Sequence, residues 1–452
     1  MQLLHKTTTT QSLINWLLVS SSFCAIYIIV SVLLLSTSSK QINLHSSSRD
    51  AREPTTTTTT IDHLVFGIAS SGSSWPKRKE YTKLWWNTKP NTTMRGCVFV
   101  EKLPENANNE DSLLPLCVSE DTSRFRYTYR RGTPSAIRVA RVVKETVALN
   151  HSGVRWFVFG DDDTVFFPEN VVKTLSKYDH RLWYYIGFAI SSSLATILAK
   201  VFDSCIERYP HLYGSDARVY SCITELGVGL THEPGFHQVD LRGNAFGLLA
   251  AHPVTPLLSL HHPEYIDPVF PNMTTIKALQ HLFEAVNLDS QRILQQTVCY
   301  DRRFSWTISV SWGYAVQVFE KHMSLPDVLK VQHTFKHWTK GTVLADLYSF
   351  NTREFHPDPC RRPTVYYLHN LSHGKDDIII SSYRKSFQNC SSNVASSKRP
   401  QVINVATSKL DLHIQQLQTP RRQCCDVLPS NVPDLMEIAV RECKEDELIY
   451  MH

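Results

Sequence analysis

The chain has 452 residues, 42% of them hydrophobic and 20% charged, which suits a globular protein with a sizeable core and excludes a largely disordered chain. A net charge of +5 is small for this length and gives no ground for a nucleic-acid-binding function. The length allows one large or two moderate globular units.

Taken in chain order, the first landmark is residues 13–35, which carry no formal charge and are rich in Leu, Ile and Val. Since about 20 apolar residues cross the hydrocarbon core of a bilayer, this stretch predicts a transmembrane signal anchor behind a short cytosolic tail, residues 1–12. A cleaved signal peptide, whose apolar run is usually about 7–15 residues, is the competing reading. Basic residues do not orient the span, because Lys6 precedes it while Lys40, Arg49 and Arg52 follow. Asn-x-Ser/Thr sequons at Asn91, Asn150, Asn272, Asn370 and Asn389, with ten of the eleven cysteines, lie beyond it. They point to a lumenal body in an oxidising compartment and a single-pass type II topology.

Residues 36–60 are polar and of low complexity, ending in Pro54 and six threonines, and predict a disordered stem. A strand is expected over 61–69, a small-residue loop over 70–74 and a helix over 75–86, with Pro76 near its first turn. A second strand over 96–100 leads into a polar loop. A helix over 134–149 follows, with Ala136, Ala140, Val143 and Val147 on one face and Arg138, Arg141 and Glu145 on the other. Arg141 and Glu145 form an i,i+4 pair there. A strand over 154–159, a helix over 168–175 starting at Pro168, and a strand over 183–187 complete the regular part. This alternation predicts an α/β fold with a mostly parallel sheet, whose ligands sit beyond the C-terminal ends of its strands. After Gly243 the sequence is less regular, apart from a strand-like run over 306–318. The catalytic-type domain is expected over 61–360, and 361–452 reads as a cysteine-containing, loop-rich extension; no internal repeat is present.

The chemistry concentrates at Asp161-Asp162-Asp163, which end the apolar run Trp156-Phe157-Val158-Phe159-Gly160 and precede Thr164-Val165-Phe166-Phe167. Hard cations choose carboxylate oxygens. A strand that delivers acids at D-x-D spacing to its C-terminal end can hold a divalent cation against a phosphate-bearing ligand. The plain alternative is a solvated acidic turn. A basic stretch from Arg124 to Lys144 could steer an anion, or be a solvated helix face.

The strings GIASSGSSWPKRKEYTKLWW (67–86), CVSEDTSRFRYTYRRGTPSAIRVAR (117–141), VRWFVFGDDDTVFFPENVVKTLSKYDHRLWYYIG (154–187) and ELGVGLTHEPGFHQVDLRGNAFGLLAAHPVTPLLSLHH (225–262) resemble the plant Fringe-related glycosyltransferase family. That family is related to the Golgi β-1,3-glycosyltransferases that include Fringe. The likeness continues through CYDRRFSWTISVSWGYAVQVF (299–319) and RECKEDELIY (441–450), so it covers nearly everything after the stem. It implies a Rossmann-like nucleotide-sugar fold of the GT-A type on a Golgi type II membrane glycoprotein. It also implies Mn²⁺-dependent, inverting transfer of a sugar from a UDP-sugar to a glycan hydroxyl, with a β-1,3 linkage. By position, Asp161, Asp162 and Asp163 would contact the nucleotide and its cation, with Asp161 and Asp163 as metal ligands. His262 in SLHHPE would complete the metal shell, with the adjacent His261 as the alternative. Asp216, ahead of Leu226-Gly227, would be the base, although relatives carry a second acid where this chain has Ala217.

One departure interrupts the likeness. Relatives continue after the strand ending at Gly187 with a polar loop and a glycine-rich strand, whereas here Gly187 runs straight into Phe188-Ala189-Ile190-Ser191. On the order of two dozen residues are absent, more than ordinary loop variation. Loss of that strand should leave unpaired backbone beside the donor pocket; either neighbouring segments repair the fold, or the chain is the product of a defective splice form or gene model. Two further readings follow: a catalytically inactive relative that binds a glycan or a protein, and a metal-dependent phosphohydrolase, for which no second metal set is visible.

Overall fold

The continuous apolar run after the stem forms β1, Leu64–Ala69, all six of whose residues are buried. Such a run suits a strand covered on both faces, as in a parallel sheet. The computed structural model describes residues 26, 58–86, 93–104, 114–238, 240–337, 351–375, 377–387 and 399–451. The tail, and most of the anchor and stem expected over 1–60, therefore lie outside the described residues. Among the described residues no helix is long and apolar enough to cross a membrane.

After β1 come α1, Trp75–Lys83, β2, Arg95–Val100, β3, Leu116–Val118, α2, Ser135–Ala148, and β4, Trp156–Asp161. The chain then forms β5, Val165–Phe166, α3, Pro168–Leu175, β6, Tyr185–Ile186, β7, Ala189–Ser191, α4, Ser192–Ile206, α5, Ser215–Glu225, and β8, Leu230–Thr231. The first sheet has seven strands in the order β3-β2-β1-β4-β7-β6-β8. β1 to β4 are mutually parallel, and β7 runs antiparallel to both β4 and β6. Chain order reverses between β1 and β4, a topological switch point where open α/β sheets leave a crevice for ligands.

α2 buries Ile137, Ala140 and Val143 against Val65 and Phe157, as its apolar face predicts. Its opposite face is not solvated as expected: Arg141 is 0% exposed, and Arg138 and Glu145 are also buried. Arg138 donates to the carbonyls of Phe99 and Ser70 at 3.2 and 2.6 Å, and α4 supplies Asp203, which Arg141 meets at 2.9 Å, alongside Glu120 at 2.6 Å and the expected Glu145 at 3.3 Å. Arg124 and Lys144 pair with the same Asp203. Much of the basic stretch is therefore a structural ion network.

The sheet runs without a break through Gly187 and Phe188. Ile186 pairs with Ala189 across a hairpin whose turn is Gly187-Phe188. Gly187 has φ +53°, and a glycine at the first central position is what a tight two-residue hairpin of type II′ needs. The Phe188 carbonyl accepts from the Phe159 amide at 2.8 Å, so the backbone of β4 is satisfied.

The remaining elements are β9, Phe236–His237, β10, Leu241–Gly243, α6, Phe246–Leu249, β11, Ser259–Leu260, α7, Thr275–Leu288, β12, Gln296–Asp301, β13, Trp306–Ser311, β14, Ala315–Phe319, α8, Leu325–Val328, and β15, Phe335–His337. The chain ends with β16, Thr364–His373, β17, Ile378–Lys385, β18, Val402–Ser408, α9, Ile414–Gln418, β19, Cys424–Leu428, and β20, Leu435–Arg441. A three-stranded sheet has the order β5-β11-β9. The expected loop-rich extension over 361–452 is corrected: β16 to β20 join β12 to β14 in one eight-stranded sheet, ordered β12-β13-β14-β16-β17-β18-β20-β19. Alternate residues of β16, β17, β18 and β20 are buried, the period of a half-buried strand. A boundary at residue 360 would cut this sheet. Its two end strands are joined by Cys299–Cys425, while the adjacent Cys424 bonds to Cys443. Cys97–Cys117 and Cys205–Cys222 brace the first sheet and the α4–α5 pair.

Candidate metal centre

β4 ends at Asp161, and the chain turns at once. The Thr164 amide donates to the Asp161 carbonyl at 2.9 Å, and the Asp161 amide donates to Thr164 Oγ1 at 3.0 Å. Behind the turn, Trp85 Nε1 donates to the Thr164 carbonyl at 3.2 Å. Trp85 is itself clamped edge-on between Trp86 and Phe166, with ring centroids 5.7 and 5.2 Å apart. The acid turn is thus held by the aromatic core beneath it.

The three acids have different surroundings. Asp162 is buried, and its amide extends the β1–β4 ladder by donating to the Ala69 carbonyl at 2.9 Å. Its Oδ2 accepts from Ser70 Oγ and Ser74 Oγ, both at 2.6 Å, and its Oδ1 from Arg78 Nη1 at 3.0 Å. Burial pushes this carboxyl upward despite those donors. Asp162 ties the acid turn to the serine loop after β1 and to α1, with its oxygens occupied by protein donors.

Asp163 is 1% exposed, whereas Asp161 is half-exposed at the rim. Register brings the histidines to them: β5 begins one residue after Thr164, β11 ends one residue before His261, and Leu260 pairs with Val165. Nε2 of His261 lies 3.2 Å from Asp163 Oδ1 and 3.5 Å from Asp161 Oδ2. His262 takes a left-handed backbone at φ +56°, which stacks its ring on His261 with centroids 3.7 Å apart. Its Nε2 is 4.0 Å from Asp163 Oδ2, and its Nδ1 is 3.5 Å from Asp240 Oδ1. One ligand atom from each of Asp163, His261 and His262 falls within a 4.8 Å cluster.

The electrostatics describe a pocket for positive charge. Burial would raise Asp163, yet the close approach and charge of His261, with the charges of Arg78 and His262, hold it below the ordinary carboxylate range. Burial would lower His261, but Asp161 and Asp163 outweigh it and push the imidazole up to about 9. Arg78 adds a second positive group, 3.5 Å from Asp163 and also paired with Glu264. Nδ1 of His261 is buried without a hydrogen-bond partner among the described residues. A carboxylate with two imidazoles is a donor set that fits a divalent ion such as Mn²⁺.

The structure therefore brings together Asp161, Asp163 and His262 as expected from the sequence, and adds His261 as a full member. Asp216 lies in the first turn of α5, exposed. Burial, with Asp216 second, pushes the Tyr185 hydroxyl on β6 up to about 12. No hydrogen bond or ion pair among the described residues joins Asp216 to the acid turn. Sequence reasoning missed Arg78, Glu264 and Asp240; Arg78 was hidden among the lysines of WPKRKEY, and Glu264 stood in the SLHHPE string itself. Phe188 was also missed, and its ring meets Phe236 and His261 at 6.0 and 6.5 Å.

Residues 184–425 match the family described as "Protein of unknown function, DUF604". That span takes in Asp216, His261 and His262 and begins after the acid turn. No curated protein matches the chain.

Proposed function

The chain belongs to the DUF604 family of proteins of unknown function, and we propose that it is a metal-dependent glycosyltransferase, moving a sugar from a UDP-sugar to a glycan hydroxyl with inversion. The observation that carries this reading is the convergence of Asp163, His261 and His262 at the β1/β4 switch point. The sheet order supports a Rossmann-like nucleotide-sugar fold of the GT-A type, and the resemblance to plant Fringe-related transferases supports the donor class and a β-1,3 linkage. The described disulfides and the exposed sequons at Asn150, Asn272 and Asn370 support a lumenal body in the Golgi.

Asp163, His261 and His262 would hold Mn²⁺, with Asp161 at the rim. When bound, the ion supplies Lewis-acid neutralisation of charge on the donor diphosphate. Asp162 keeps the acid turn against the Ser70–Ser74 loop, so Asp163 stays aimed at the histidines. Arg78 brings a fixed positive charge to the same side. Asp216 takes the proton of the acceptor hydroxyl as its oxygen bonds to the anomeric carbon, and the bond to the diphosphate oxygen breaks with its electron pair leaving on UDP.

The shortened Gly187-Phe188 hairpin and Ala217 favour a second reading, in which the site binds donor or glycan without turnover. Incubating the full chain with Mn²⁺ and a panel of UDP-sugars, and following UDP release, separates the two. Release with Mn²⁺ but not with chelator is expected. Binding without release supports the second reading, and neither binding nor release by folded protein overturns both.

A further inference from the structure

The end of β14 and the segment leading into β16 enclose a cleft of about 460 Å³ that takes no part in the acid turn. Lys321, Arg353, Arg361, Arg362 and Arg399 line it, against only two carboxylates, Glu320 and Glu354. Among the described residues Arg399 alone has a carboxylate partner, Glu320.

Two of these guanidiniums are fixed without being neutralised. Arg353 donates to the Lys330 carbonyl at 3.2 Å and to Gln317 Oε1 at 3.1 Å, and lies over the Phe319 ring at 5.0 Å. Arg362 donates to the carbonyls of His356 and Pro357 at 2.6 and 2.8 Å, and lies over the Phe355 ring at 3.9 Å. Every one of these partners is neutral. Burial alone pushes Arg353 down to about 10, the direction of a cation deprived of water with no counter-charge. The loop carrying Arg361 and Arg362 is further stiffened by a short 3-10 turn, Pro359–Arg361, capped by Asp358, and by a disulfide at Cys360. Removing a cation from water without pairing it is costly. A planar guanidinium held in place is suited to bidentate recognition of carboxylate or phosphate oxygens.

We infer that this cleft is a binding site for a compact ligand bearing at least two anionic groups, carboxylate or phosphate, gripped by Arg353 and Arg362 with Arg361 and Lys321 at the mouth. The chemistry is shared by a uronate-bearing saccharide and by a free phosphorylated species. The inference is independent of the transferase reading, since none of these residues belongs to the acid turn.

The test is calorimetric titration of the full chain, stripped of metal by chelator and then dialysed free of it so that the metal centre is silent, with digalacturonate and with inorganic pyrophosphate. Binding of either supports the site, and the tighter of the two identifies the source of the anion. Arg362→Gln is expected to weaken binding about tenfold, the range of one charge-assisted contact. Because that variant could perturb the loop, the exposed pair Lys321→Gln with Arg361→Gln serves as a second probe and is expected to weaken binding while leaving the melting temperature unchanged. Binding of neither anion, or binding unaltered in both variants, overturns the inference.

Discussion

Nε2 of His261 stands 3.2 Å from Oδ1 of Asp163, and this approach joins the turn after β4 to the loop after β11, almost a hundred residues apart in sequence. It exists because β5 and β11 are in antiparallel register immediately beside the two residues. The acids and the histidines are therefore positioned by sheet pairing rather than by free loops.

From the different surroundings of the acids follows a division of labour. Asp163→Ala is expected to abolish metal-dependent nucleotide binding, because it removes a ligand; it also takes away one of the two carboxylates facing His261, so some stability is lost, while Asp161 and the serine anchor remain. Asp162→Ala is expected to destabilise the fold by about 2–4 kcal/mol, since it removes the buried carboxylate that accepts from Ser70, Ser74 and Arg78, of which only Arg78 keeps other carboxylates, Glu264 and Asp163. Urea denaturation read alongside calorimetry checks both; equal binding losses at unchanged stability in the two variants would refute the division.

Asp216→Ala should spare donor binding and reduce transfer by about a hundredfold or more, the usual contribution of a positioned general base. A variant that transfers at the wild-type rate would remove Asp216 from the mechanism.

The contact between Trp85 and the acid turn predicts a graded effect. Trp85→Phe keeps most of the packing but loses the bond to the Thr164 carbonyl, costing about 1 kcal/mol. Trp85→Ala also opens a cavity among Trp86, Phe66 and Phe166, costing about 3–5 kcal/mol. Chemical denaturation of the two variants measures the difference.

A buried histidine pair sets a pH dependence. Nδ1 of His252 donates to the Pro253 carbonyl at 2.8 Å, so its Nε2 accepts from His237 Nε2–H, also at 2.8 Å. Burial holds His237 down to about 4; His252 is held at about 3 by burial and by the neighbouring His237. Unfolded histidines take up protons near 6.5. Between those values the unfolded state binds more protons, so stability is full above pH 6.5 and falls as pH drops toward 4. For His252 the slope is about 1.4 kcal/mol per pH unit. Melting temperature against pH should show the fall, and His252→Gln, which keeps a neutral hydrogen-bonding side chain, should flatten it.

Much of this was legible in the sequence. Asp161 to Asp163 stood out because an apolar strand ran straight into them, and Pro168 marked the start of α3 at its observed position. The role of Asp162 was not legible, because its partners Ser70 and Ser74 lie far back in the chain and meet it only once β1 and β4 pair. The choice between His261 and His262 had no local answer; the left-handed backbone of His262 folds its ring onto its neighbour, so both enter. The polar face of α2 looked solvated because its counter-charge, Asp203, comes from another helix. The last strands are hard to see in the sequence because their period-two alternation, as at Ile403 and Val405 in β18 and Met436 and Ile438 in β20, all buried, is short and separated by polar, cysteine-containing segments.

The central claim is that the acid turn and the two histidines form a cation-dependent nucleotide site. Calorimetric titration of UDP into the full chain, once with Mn²⁺ and once with chelator, tests it most directly. The account predicts saturable binding with Mn²⁺ and none with chelator; a folded chain that binds UDP equally in both, or in neither, would contradict it.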